Sequence, residues 1–176
     1  MKRIAVVAIA SVAAIMAFAL IGCTNVETQP QSEQEQQIDE QPSKQNQAAE
    51  YVERVGAGSF SEIGDGIDAI LEAIEADDID SAQSEAMDVE KKCNRIIDMT
   101  EIPEIAERPH GYMVEAASAY KDAAVSYAMA PMLKQDGRIE DAAECIKEGN
   151  ESIDRATESL DMATDAIRDM KRQAAE

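Results

Sequence analysis

Few residues in this chain have the type and spacing to carry chemistry. Three cysteines (Cys23, Cys93 and Cys145) and one histidine (His110) are its nucleophilic or metal-ligating groups near neutral pH. Glu107 and His110 stand three apart, the Glu-x-x-His step by which a helix offers two ligands to a di-iron site. Such a site takes two of these steps and two further Glu, but there is no second His, and Pro109 interrupts the step. His110 therefore reads as a surface or capping residue, and neither a metal nor another cofactor is expected. The run Asp77-Asp78-Ile79-Asp80 lacks the Gly and terminal Glu of a calcium loop and reads as helix capping. No Ser/His/Asp set, phosphate loop or Gly-rich nucleotide motif is present, so no catalytic residues are expected. Cys93 and Cys145 leave two alternatives, a bridge or two separate thiols. A bridge would close a loop of about 50 residues and contribute roughly 4 kcal/mol. Against it, their helices are diagonal in a simple four-helix ring.

Cys23 stands apart from the other two. Lys2 and Arg3 precede an apolar run from Ile4 to Ile21 broken only by Ser11, and the run ends in Leu20-Ile21-Gly22-Cys23. A basic start, an apolar core and a small residue before the cut make an export signal. The ending resembles the lipobox of bacterial lipoproteins. That resemblance covers the signal region and implies a diacylglyceryl group on the Cys23 sulfur, with cleavage between Gly22 and Cys23. Thioether formation needs a thiolate nucleophile, and two acyl chains suffice for stable anchoring where one does not. The implied address is the extracytoplasmic face of the cell membrane, with the bilayer as a partner through the acyl anchor.

Residues 24–47 are rich in Gln, Glu and Ser, with Pro30 and Pro42 and almost no large apolar group. Such a segment cannot offset its ordering entropy and is expected to be a disordered tether. Composition bounds the rest. The chain of 176 residues has 3% aromatics, no Trp, 45% hydrophobic residues and a net charge of −20. Losing the first 22 residues removes Lys2 and Arg3 and takes the charge to −22. A surface this acidic repels phosphates and anionic headgroups, which excludes nucleic acid and a membrane face as ligands.

From Ala48 the pattern is helical. Ile63, Ile67, Ile70 and Ile74 mark a first helix weakened by glycines, and Asp80 with Gln83 suggests a capping box for a second through Cys93 to about Met99. A long connection holding Pro103, Pro109 and Gly111 should follow. A third helix from Met113 carries Tyr120 and Tyr127, which with Tyr112 read as core or rim residues, and Pro131 should kink it or end it early. Asp136-Gly137 makes a turn. In the fourth helix Ile139, Ile146, Ile153, Leu160 and Ile167 recur every seven residues, with Ala142, Gly149, Ala156, Ala163 and Met170 three after each. That seam predicts buried large residues with small ones allowing close approach, and it also permits self-association. An echo at an offset of 60 pairs Ile79, Ala82, Ala86 and Cys93 with Ile139, Ala142, Ile146 and Ile153. It reflects either a duplicated hairpin or heptad coincidence.

The expected fold is all-α: an antiparallel four-helix bundle, or three main helices with a looser first one. The expected organisation is a signal peptide at 1–22, a lipidated linker at 23–47 and a helical domain at 48–176. This layout resembles short helical-bundle lipoproteins of bacteria with no assigned activity. The expected function is non-catalytic, an interaction or structural role with an unknown envelope protein. The alternative is a small-ligand or metal-binding bundle serving a transporter or sensor. It draws on the tyrosines and on Met129 and Met132 beside Pro131, and it expects a pocket between the third and fourth helices.

Overall fold

The computed structural model describes residues 43–55 and 57–175. The signal, Cys23, the cleavage position and nearly all of the tether lie outside the described residues. Five α-helices and one 3-10 turn account for the fold, with no strand among the described residues: α1 (Lys44–Val55), α2 (Ala57–Glu75), α3 (Ile79–Ile97), the turn Glu104–Ala106, α4 (Glu107–Gln135) and α5 (Ile139–Ala174). The all-α antiparallel bundle is observed. The first expected helix is two, α1 and α2, and α1 already begins at Lys44, inside the expected tether.

Cross-helix contacts set the directions. Phe60 of α2 meets Tyr120 of α4 with ring centroids 6.3 Å apart, and Tyr51 of α1 meets His110 ten residues earlier on α4. Hence α2 lies beside α4, and α1 docks near the start of α4. Lys92 of α3 donates to the Glu62 carbonyl of α2 at 3.1 Å, and Lys121 of α4 donates to Asn94 Oδ1 of α3 at 3.2 Å, so α3 runs antiparallel to both. Tyr127 of α4 donates to Asn150 Oδ1 of α5 at 2.7 Å, and Asp122 pairs with Arg155 at 3.4 Å, so α5 returns along α4. α4 is the hub, packing on α2, α3 and α5. α1 packs on α5, while α3 and α5 have no extended contact.

The α4–α5 interface corrects the expectation for the seam. The deeply buried row of α5 is the small one: Ala142, Gly149, Ala156 and Ala163, ending in Met170. Of the large row only Ile153 is buried; Ile146, Leu160 and Ile167 are half-buried and Ile139 is 59% exposed. The facing side of α4 is Ala-rich as well, with Ala116, Ala119, Ala123 and Ala130 buried. Backbones come close along this interface, and the large side chains are left at its margins. The Tyr127 ring lies directly on Gly149, where an added Cβ would sit 2.3 Å from Tyr127 Cε1.

The helix boundaries also differ from expectation in three places. The α3 cap is Asp78, not Asp80: its carboxylate accepts from Ser81 N at 3.0 Å and Ser81 Oγ at 2.8 Å. α4 starts at Glu107, so Pro109 falls in its first turn, where an N–H would have no intrahelical acceptor. Pro131 sits buried inside α4, which runs on to Gln135 before ending.

The offset of 60 holds in the backbone. α2 ends at Glu75 and α3 starts at Ile79; α4 ends at Gln135 and α5 starts at Ile139. In the first turn Asp77 N donates to Ile74 O and Asp78 N to Ala73 O; in the second Gly137 N donates to Lys134 O and Arg138 N to Leu133 O. Both are Schellman closures with a left-handed residue at the same place, Asp77 at φ 56° and Gly137 at φ 77°. The closures match in their backbone hydrogen bonds and differ in their caps, since Asp78 accepts from Ser81 N whereas Arg138 makes no side-chain cap.

Two predictions follow from the packing. Gly149→Ala should cost about 1–3 kcal/mol by overpacking against Tyr127. Gly64→Ala, in a helix with nothing within 4 Å of the added Cβ, should gain about 0.5–1 kcal/mol. Urea unfolding of the two variants checks the signs. Ile153→Asp should cost on the order of 4 kcal/mol by placing a charge at a buried position, and a variant with wild-type thermal unfolding would contradict the placement of the core.

Candidate functional site

The residues that the sequence singled out do not converge. His110 lies near the start of α4, half-buried, with Tyr51 Oη 3.3 Å from its Nδ1 and the two rings edge-on at 84°. The same hydroxyl donates to Met113 Sδ at 3.3 Å, and burial pushes the Tyr51 phenol well above its ordinary value. One turn on, Arg54 donates to the carbonyls of Thr100 and Glu101 at 3.0 and 3.2 Å. Rather than a free surface residue, His110 is where α1 docks on the bundle. Burial, and then the Arg54 charge, lower its pKa below 6.5. Among the described residues no three His, Cys, Asp or Glu come together as a metal cluster.

Asp77 pairs with Lys134 across to α4, and two hydrogen bonds from Ser81 hold the Asp78 carboxyl below its usual range. The tyrosines serve different contacts: Tyr120 packs on Phe60, Tyr127 on Gly149, and Tyr112 lies under Arg108 at 6.0 Å. Tyr127 fills the α4–α5 interface at the level where the ligand-binding alternative expects a pocket, and burial pushes its phenol up to about 12. Surface depressions of about 480 and 280 Å³ lie on the outer face of α3 and at the 77–79 turn; neither is between α4 and α5.

Cys93 and Cys145 are free thiols. Asn94, next to Cys93, is level with Lys121 of α4, whereas Cys145 lies five residues beyond Asn150, which is level with Tyr127. The two therefore stand about ten residues apart along α4, on the order of 15 Å, where a disulfide needs Cα atoms within about 7 Å. Burial pushes the Cys93 thiol up to about 12. Burial, then Glu148 and Asp141, raise that of Cys145. Neither thiol is activated as a nucleophile.

What the bundle leaves uncovered is the outer face of α4. Asp122, Val125, Met129 and Met132 are spaced three, four and three apart, one helical stripe opposite the buried alanines. Asp122 reaches α5 through Arg155, and Met132 reaches α3, accepting from Gln83 Nε2 at 2.9 Å. The stripe is thus the floor of a trough walled by α3 and α5. Met87, one turn after Gln83 on α3, continues the apolar surface. The sequence placed Met129 and Met132 beside Pro131 but did not isolate Val125 and Met87. The 125/129/132 spacing carries the signal, and it is masked because the next residues round the helix are apolar too.

No protein family, curated protein or solved structure matches this chain. Among the described residues no helix is long and apolar enough to cross a membrane.

The histidine generates a pH prediction. Because folding lowers the His110 pKa, the unfolded chain takes the proton first. Its contribution to stability is therefore full above 6.5 and is lost as pH falls through the folded value. Measured by urea unfolding between roughly pH 7.5 and pH 5, the wild type should lose stability relative to His110→Gln. Parallel pH profiles would contradict it.

Proposed function

We propose that this chain is a lipid-anchored protein of the extracytoplasmic membrane face whose helical bundle works by binding another protein, without catalysis. The observation that carries the reading is the exposed apolar stripe of α4, held between two helices of an otherwise acidic surface. Contiguous exposed apolar patches rimmed by polar residues mark interaction surfaces. The basic, apolar, Leu20-Ile21-Gly22-Cys23 start supports the anchor. Twenty residues separate Cys23 from α1 at Lys44, so the proposed anchor and the acidic bundle are distinct parts of the chain.

The test has two parts. Mass spectrometry of the protein extracted from its own membranes should find a diacylglyceryl mass on an N-terminal Cys23, and Cys23→Ser should release the bundle from the membrane fraction. Photo-crosslinking residues spread over the bundle surface should trap a second protein in cells. A soluble wild-type chain without lipid would overturn the anchor. A turnover activity that survives purification and is abolished by a point change in the bundle would overturn the non-catalytic reading.

A further inference from the structure

The trough across α4 has a floor and two walls of definite chemistry. The floor residues Val125, Met129 and Met132 are 47%, 47% and 44% exposed, and Met87 on the α3 wall is 71% exposed. The apolar floor from Val125 to Met132 is two helical turns, about 10 Å. Methionine is unbranched and polarizable, so a methionine floor adapts to the side chains laid on it.

The walls are acidic at the level of the methionines. On the Gln83 and Met87 side of α3 the charged residues from Ile79 to Glu90 are Asp80 and Glu90, both acids; α5 has five acids from Ile139 to Glu151 against Lys147 alone. Lys147 is already paired with Glu144 at 2.8 Å and Glu151 at 3.8 Å. Three neighbouring bases are engaged, Lys121 with Glu90, Lys134 with Asp77 and Arg138 with Asp141, while Lys91 and Arg95 stand beside Met87 at the far end of the α3 wall. Glu148, on the α5 wall, stands beside Cys145.

We infer that this trough binds a basic amphipathic helix of a partner protein, laid along α4 between α3 and α5. Its apolar stripe would meet Val125, Met129 and Met132, and its flanking Lys or Arg would meet the acidic walls, the helix-in-groove mode of recognition. Charge selects this occupant over the other two. A second copy of the chain would bring the same acidic walls against these, and an anionic lipid surface would be repelled. The inference rests on the interaction reading proposed above and names its partner class.

The probe is a synthetic amphipathic peptide of about fourteen residues, with Leu at i, i+3, i+4, i+7 spacing and Lys elsewhere. It is titrated by fluorescence anisotropy into the full chain in detergent. A scrambled peptide of the same composition should bind more weakly. Met129→Ser with Met132→Ser should weaken binding roughly tenfold. Glu90→Lys with Glu148→Lys should weaken it and flatten its salt dependence, while Asp68→Asn with Glu72→Gln on α2, away from the trough, should leave it unchanged. Circular dichroism of each variant confirms that the exposed changes keep the helices.

Three outcomes overturn the inference: equal binding of the scrambled peptide, an equal loss from the α2 variant, or no loss from the methionine variant. A wild-type dimer in sedimentation that Met129→Ser dissociates would also overturn it, making the occupant a second copy. If the peptide test fails while in-cell crosslinks persist elsewhere on the bundle, only the trough is lost. If both fail, the interaction reading falls with it.

Discussion

Everything in this bundle depends on how closely α4 and α5 approach. The approach is possible because both helices face each other with alanine, glycine and serine, and because Tyr127 has no Cβ beneath it at Gly149. Small side chains bury little area each, so the interface gains from length and from many dispersion contacts rather than from a few large residues. That explains why α4 and α5 run 29 and 36 residues, far beyond the usual helix of about eleven. It also explains the composition. With so few bulky groups needed between the longest helices, the chain manages without Trp and with 3% aromatics. The few rings it has serve as fixed joints: Tyr127 between α4 and α5, Tyr120 between α4 and α2, and Tyr51 between α1 and α4.

The same closeness determines what stays outside. A helix packed on three sides by α2, α3 and α5 has one face left, and on α4 that face holds Val125, Met129 and Met132. Because α3 and α5 do not meet over it, the face remains a floor instead of becoming core. The acidic walls keep that floor soluble and discourage identical chains from pairing through it. An apolar patch on a neutral surface would be an aggregation hazard; between carboxylates it is restricted to a partner with the opposite charge.

Much of this architecture was legible in the sequence, and what was missed has identifiable physical causes. The heptad of α5 is regular over its whole length, so its existence, its direction and its turn at Asp136-Gly137 were readable. Which of its two rows faces α4 was not, because hydrophobicity favours burying isoleucine, whereas close backbone approach favours burying alanine and glycine. The cap of α3 was misplaced by two residues because Asp77, Asp78 and Asp80 all have the right side chain, and only the left-handed turn at Asp77 decides among them. Pro109 reads as a breaker until it is known to occupy a first turn. His110 could not be assigned at all, since the hydroxyl that faces it belongs to Tyr51, 59 residues away. The separation of Cys93 and Cys145 likewise depends on the register of two helices against a third, which no local pattern encodes.

The matched turns at residues 76–78 and 136–138 bear on how the chain reaches this state. Each joins two long helices through three residues, so every hairpin closes by zipping outward from its turn, with each new contact shortening the search for the next. The docking of one hairpin on the other, and of α1 on α5 and His110, require distant parts of the chain to meet. Hairpin contacts of this kind lower the contact order, which favours fast folding. The two turns are therefore starting points of assembly as well as ends of helices. Asp77 bears at the first of them the left-handed conformation that Gly137 adopts without strain at the second.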